Sequence, residues 1–169
     1  TGQLAPLPNV EIYRDSRLTL EDILAMGADH VAIATGATWR RDAVARLHLH
    51  PISTDAAMPL YTPDDLMAGR IPEAQTVALY DDDHFYMGSV LAELLIAKGN
   101  RVHFITPAAK VAEWTDNTLE QGTIMRRLLE LGVEIHLSKA PEAVGKAEIT
   151  LGCTWTGRQS TLPCEALVY

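Results

Sequence analysis

The densest cluster of chemically active side chains in this 169-residue chain is Asp81-Asp82-Asp83-His84, directly after the apolar run Thr76-Val77-Ala78-Leu79-Tyr80. Three carboxylates and an imidazole on one loop suit a cation or a proton and oppose an anion. A hard cation takes six or more oxygens, which one contiguous loop rarely supplies. A phosphoacceptor arrangement needs an aspartate after the third strand, where Leu137-Ser138-Lys139 stands instead. The plain reading is a solvated loop that caps the next helix. A strand, a turn and a helix in this order is also where a dinucleotide-binding fold places G-x-G-x-x-G, whose glycines let the backbone approach a pyrophosphate. Only Gly88 survives of that fingerprint, and the turn is about two residues longer than usual. Each carboxylate within ~4 Å of a phosphate charge costs on the order of 1 kcal/mol in water and about 4 at an effective dielectric of 20. Two or three of them outweigh the roughly 0.3–1 kcal/mol that a helix N-terminus offers an anion. The acid that grips a ribose is missing too, because the second strand ends in Thr106-Pro107. The loop therefore argues against NAD(P)H.

The other candidates carry weaker signals. Thr35-Gly36 ends an apolar run in a small-residue turn suited to close backbone approach. His48 and His50 flank Leu49 in a proline-containing loop with no third ligand nearby, which predicts exposed side chains. His103 and His136 fall in the second and third strands of one sheet and are expected to neighbour each other, as buried or pH-sensitive groups rather than catalysts. Cys153 and Cys164, in separate predicted strands, are expected to be reduced and buried, and two thiols cannot ligate a four-cysteine cluster. No catalytic residue and no metal ligand is assigned, since no nucleophile–base grouping has local support.

These residues need elements to position them. Leu7 to Tyr13 is read as a short strand, and Thr19 caps a helix over Leu20 to Met26 that Gly27 ends. His30 to Ala37 is read as a strand buried on both faces. Trp39 to Pro59 has no period and is a connecting loop. Thr62-Pro63-Asp64-Asp65 opens a helix of one or two turns that stops at Gly69. Thr76 to Thr106 then forms a βαβ unit of parallel strands around a helix from Met87 to Lys98, with Val90, Leu91, Leu94 and Leu95 as its apolar stripe. A helix from Asn117 to Leu131 follows, with Leu119, Ile124, Met125, Leu128, Leu129 and Leu131 inward, and a third strand over Val133 to Leu137. The tail is read as a hairpin pairing Glu148–Trp155 with Thr161–Tyr169 around Thr156-Gly157-Arg158. The fold class is α/β: a Rossmann-like parallel sheet with an antiparallel β-meander.

Composition bounds the rest. Apolar residues make up 47% and charged residues 21%, so the chain can bury a core. Fourteen Lys plus Arg against 22 Asp plus Glu give a net charge of −8, which opposes nucleic acid. Apolar stretches of about seven or eight residues fall far short of the roughly 20 that span a membrane, and no signal-peptide pattern opens the chain. A cytoplasmic location is expected.

Two stretches carry a resemblance that covers nearly the whole chain. His30-Val31-Ala32-Ile33-Ala34-Thr35-Gly36-Ala37-Thr38-Trp39-Arg40-Arg41-Asp42 resembles the A-T-G strand-turn of flavoproteins with two dinucleotide domains. Tyr80-Asp81-Asp82-Asp83-His84-Phe85-Tyr86-Met87-Gly88, with Met125-Arg126-Arg127-Leu128, resembles the nested domain of the trimethylamine dehydrogenase family, which also holds 2,4-dienoyl-CoA reductase and other NADH:flavin oxidoreductases. The resemblance implies a larger, homo-oligomeric parent whose TIM barrel carries FMN and a 4Fe-4S cluster. Behind the barrel lie two nucleotide-binding domains of FAD/NAD(P)-binding type, the second inserted in the first. On this reading the chain is a fragment. Residues 1–70 are an incomplete outer domain that begins after its glycine fingerprint, and residues 74–169 are a nearly complete nested one. Ala34, Thr35, Gly36 and Ala37 match positions that contact ADP or FAD, and Gly88 the nested fingerprint. The fragment itself is expected to be catalytically silent. The lost glycines favour an amine-dehydrogenase-like parent, whose electrons leave to an electron-transfer flavoprotein near Phe85 and Tyr86. A stand-alone nucleotide-sensing or interaction domain is the competing reading.

Overall fold

In the computed structural model, which describes residues 4, 6–73 and 76–169, the run Val77–Tyr80 is buried at every position. A strand apolar on both faces needs cover on both, and a parallel sheet between two layers supplies it. This strand, β3 (Thr76–Tyr80), is the centre of a five-stranded parallel sheet of order β2-β9-β3-β4-β5. It pairs with β4 (Arg101–Ile105) and β9 (Ala166–Val168), beyond which β5 (Glu134–His136) pairs with β4 and β2 (Leu60–Tyr61) with β9. Helix α3 (Met87–Ala97) connects β3 to β4, which pair in register from Thr76–Arg101 to Tyr80–Ile105.

Alternation along the strands sorts their side chains between two cores. Val77, Leu79, Val102, Phe104 and Val168 pack with Leu91, Ala92 and Leu95 of α3 and Leu128 of α4 (Gln121–Glu130). Ala78, Tyr80, Ile105 and Leu167 pack the other way, against Val144, Ile149, Leu151 and Leu162. Those come from a second sheet of order β1-β6-β7-β8, formed by β1 (Ser53–Thr54), β6 (Lys139–Val144), β7 (Glu148–Cys153) and β8 (Gln159–Pro163). The result is helices, parallel sheet and meander in three layers. Fully buried side chains such as Phe104 and Leu95 contribute about 1.5–3 kcal/mol each.

The two predicted caps form as capping boxes. Thr19 and Asp22 open α1 (Leu20–Ala25), and Thr62 and Asp65 open α2 (Pro63–Met67). Asp65 is buried and also accepts from the guanidinium groups of Arg41 and Arg70. Burial pushes its carboxyl up, but Arg70, Arg41 and the Thr62 amide outweigh that and hold it well below the usual range.

Four sequence expectations change. Residues 7–13 and 30–37 form no strand, and Val31 and Ile33 are 55% and 83% exposed. An apolar run becomes a strand only where a neighbour completes its ladder, and among the described residues nothing pairs with either segment. The chain divides into two compact units, Thr1–Ala37 and Thr38–Tyr169, and both segments belong to the first. The helix expected from Asn117 starts at Gln121 instead. Thr115 Oγ1 donates to the Ala112 carbonyl at 2.7 Å and Thr118 Oγ1 to that of Thr115 at 3.1 Å, which divert the backbone into a 3₁₀ turn over Glu113–Asp116. Leu119 then sits at φ +63° and points outward. Along α3, Val90 is exposed and Ala92 takes its place inside. Finally, the tail hairpin ends at Pro163. Ala166–Tyr169, buried at every position, leaves it as β9 and enters the parallel sheet between β2 and β3, where Leu167 N–H donates to the Pro59 carbonyl. Strand β6 was not foreseen, because Pro141 lies within it. A register irregularity between Pro141 and Ala143 accommodates the ring. Among the described residues no helix is long and apolar enough to cross a membrane.

Candidate functional site

Parallel α/β sheets bind ligands beyond the carboxyl ends of their strands. At the end of β3 the Asp81 N–H donates to the Ile105 carbonyl at 2.8 Å, and the chain then turns with Asp81 and Asp82 only 4% and 7% exposed. The acidic loop is not solvated as expected. Nor does it cap α3, whose N-cap residue, Tyr86, has no side-chain cap bond. What Gly88 makes room for is the Asp81 side chain. A Cβ built on Gly88 would lie 2.8 Å from Asp81 Cγ and 2.9 Å from its Cβ, closer than carbon atoms tolerate. The chain's own carboxylate thus occupies the first turn of α3, the place where a dinucleotide fold brings a phosphate against glycine. Burial pushes Asp81 up to about 6, while the charge of His84 and its backbone N–H, 3.4 Å from Oδ1, pull the other way.

Asp82 is held from two sides. Its Oδ2 accepts from the Leu47 N–H at 2.9 Å, and its Oδ1 lies 3.3 Å from His84 Nε2. Burial raises the Asp82 carboxyl, yet these contacts outweigh it and leave it below the ordinary range, while the bond to Asp82 raises His84. His84 adopts φ +64°, and its Nδ1 is 3.5 Å from Thr106 Oγ1. A hydroxyl, an imidazole and a carboxylate therefore stand in the order used for nucleophilic catalysis. Thr106, however, is fully buried, and its Oγ1 already accepts from the Ala108 N–H, so no substrate atom can approach it. The segment around Arg46 and Leu47 lies over the loop. Arg46 stacks 4.1 Å above the Trp114 ring, and the His48 ring is 6.0 Å from that of Tyr80. His48 is thus half-buried rather than exposed, whereas His50 is exposed. His48 Nε2, the Tyr80 hydroxyl and Asp81 Oδ2 are buried without a hydrogen-bond partner among the described residues. Burial, with Asp82 and Asp81 adding to it, raises the Tyr80 hydroxyl.

Ala34, Thr35, Gly36 and Ala37 are exposed in the first unit. Gly36 has φ +78° and open space around its Cα, as close backbone approach requires. Phe85 and Tyr86 are half-buried, stacked edge to face at 4.4 Å, and the Tyr86 hydroxyl is bonded to Glu120. His103 and His136 meet as expected, with Nδ1 to Nε2 at 3.2 Å. Cys164 is buried, which pushes its thiol up to about 11. Cys153 is only half-buried, and hydrogen bonding from Thr156 brings it down to about 7. Sequence reasoning missed the contact of Asp81 with Gly88 and the cover from residues 46–48. The signal within reach for the first was a surviving glycine seven residues after an aspartate that ends a strand.

Comparisons with known proteins agree with this fold. The model of the OYE-like second alpha/beta domain matches residues 61–161. Dimethylamine dehydrogenase of Hyphomicrobium sp. (strain x) is 29% identical over 140 residues, which cover 82% of this chain and 19% of that protein. Histamine dehydrogenase from Rhizobium sp. 4-9 superposes with a TM-score of 0.88 at 48% identity, over 99% of this chain and 26% of the other. The 6-hydroxypseudooxynicotine amine oxidase of Pseudomonas geniculata N1 gives 0.86 at 37%, over 99% and 25%. The chain therefore spans about a fifth to a quarter of the length of these relatives.

Proposed function

The chain belongs to the OYE-like second α/β domain family, within the trimethylamine dehydrogenase group, and on that premise we propose that it is the nucleotide-binding-type part of a flavin- and iron–sulfur-dependent amine oxidoreductase. Residues 1–70 are assigned to an outer ADP- or FAD-type domain and residues 74–169 to a nested one, with β1 and β2 of the former completing the sheets of the latter. The residues present fit some of the implied groups and not others. Gly36 and its small neighbours offer backbone N–H groups with open space in front, which suits an adenosine diphosphate moiety. Two cysteines, one of them buried, cannot ligate a 4Fe-4S cluster, so that cluster and the FMN fall to other parts of the polypeptide. NAD(P)H does not fit the nested domain, because Asp81 already lies against Gly88 and brings a carboxylate where the pyrophosphate would need a donor.

That contact carries the reading. It favours an enzyme that draws electrons from an amine and passes them to a protein acceptor, an electron-transfer flavoprotein, over one that takes hydride from a nicotinamide. The nested domain then serves as scaffold, and this chain supplies no catalytic residue. Calorimetric titration of the purified protein with ADP, NADH and NADPH tests it. ADP is expected to bind saturably, and NADH and NADPH to give no saturable heat below about 1 mM. Micromolar NADH binding would overturn the reading and favour a nucleotide-sensing domain.

A further inference from the structure

We propose that His103, Glu134 and His136 form a binding site for a divalent transition-metal ion, of which Zn(II) is the best match. The strand register builds it. β4 and β5 run parallel with His103 beside Glu134 and Ile105 beside His136, and positions 134 and 136 share one face of the pleat. All three side chains therefore stand on the same face at the β5 edge. His103 Nδ1 lies 3.2 Å from His136 Nε2 and 3.3 Å from Glu134 Oε2, and the three ligand atoms fall within 4.8 Å of one another.

Two features separate this cluster from an ordinary hydrogen-bonded group. The first is proton count. A neutral imidazole nitrogen carries one hydrogen at most, yet two acceptor-capable atoms converge on His103 Nδ1 at hydrogen-bond distance. One proton serves one of these contacts well, whereas a cation at the centre serves all three lone pairs. The second is size. Zn(II) bound at 2.0–2.2 Å in tetrahedral geometry sets its ligand atoms about 3.3–3.5 Å apart, close to the two short separations here. Two imidazoles and one carboxylate match a borderline ion better than Mg(II) or Ca(II), which take oxygen.

The surroundings suit an ion exchanging with solvent. The His103 side chain is 13% exposed and that of Glu134 66%, so the imidazole is held in place and the carboxylate is free to close from outside. The nearby cations keep their charge but do not take the ligand atoms: Arg101 donates to Thr76 Oγ1 and Lys139 to Ser160 Oγ. Three protein ligands leave a fourth position for water.

The test is calorimetric titration of the purified, chelator-treated protein with zinc chloride and, separately, magnesium chloride, followed by visible spectroscopy after cobalt(II) loading. One zinc per chain at a Kd of about 10 µM or tighter is expected, with no magnesium binding and with the intense visible bands of tetrahedral cobalt. Zinc affinity should fall at least tenfold in Glu134→Gln and be lost in His103→Asn/His136→Asn. Glu134 is exposed, so its variant reports even if the double variant fails to fold. Absence of saturable zinc uptake, or uptake undiminished in Glu134→Gln and in a folded double variant, overturns the site.

Discussion

Asp81→Asn isolates the energetic cost of holding a carboxylate against the first turn of α3. Burial is the largest influence on Asp81 and moves its pKa from the ordinary 3.8 to about 6. An acid whose folded-state pKa lies above its unfolded one binds protons more tightly when folded. Its contribution is therefore most favourable below about pH 4, is lost as the pH rises through 6, and stays lost above. A difference of about 2.2 units corresponds to about 3 kcal/mol. Asparagine keeps the shape and has no titration. The stability of the variant minus that of the wild type should thus grow by about 3 kcal/mol between pH 3.5 and pH 9, whatever constant cost the amide brings. Asp65 and Asp82 titrate in both proteins and cancel. His84 cancels at the two ends as well: at the acid end Asp81 is neutral in the wild type, and at the alkaline end His84 is neutral in both. Urea unfolding followed by circular dichroism at five or six pH values supplies the measurement. A difference that stays flat within about 1 kcal/mol across this range refutes the buried, charge-penalised Asp81 and with it the charge argument behind the proposed exclusion of NAD(P)H.

Gly88→Ala should destabilise by about 1–3 kcal/mol despite the gain of about 1 kcal/mol in helix propensity, because the added methyl overlaps a buried side chain rather than a mobile one. The same substitution on an Asp81→Gly background should cost at least about 1 kcal/mol less, and equal costs by denaturant unfolding would locate the clash elsewhere. Asp65→Asn should cost about 2 kcal/mol at pH 7, a figure reduced because both arginine partners are more than half exposed. Asp65 is held below its ordinary range, so its contribution is present above about pH 4 and disappears as the pH falls further. Wild type and variant should therefore converge in acid-unfolding experiments, and a gap that widens toward low pH contradicts the assignment.

What could be read from the sequence was what short-range chemistry decides. Thr19 and Thr62 with acids three residues on give capping boxes wherever they occur, and both helices begin where those residues put them. Val77–Tyr80 is apolar on both faces and could only be an inner strand. Failures came where distant partners decide. Val31 and Ile33 have the composition of a strand, but strand formation depends on a neighbour's backbone groups, which lie outside any local window. Ala166–Tyr169 was joined to the hairpin because it follows β8 directly, although its uniform burial belongs to a parallel interior. In the candidate site the net repulsion of the acidic loop toward an anion was legible, but its location was not. Carboxylates are expected in water, and only the fold shows Asp81 buried against Gly88 and Asp82 anchored by Leu47 and His84.

Burial changes the meaning of the acidity. A solvated aspartate beside a phosphate site weakens binding by about 1 kcal/mol and is screened by salt, so a few new contacts could restore affinity. A buried aspartate seated on the glycine excludes the phosphate by volume as well as by charge. Seating a phosphate there would require ejecting Asp81, which also breaks its bond from the His84 N–H and disturbs the Asp82–His84 pair that faces Leu47. No single substitution at the loop surface can do that. On the proposed reading, the contacts that order the loop are the same ones that would exclude a nicotinamide dinucleotide, so stability and that exclusion would rest on one set of residues.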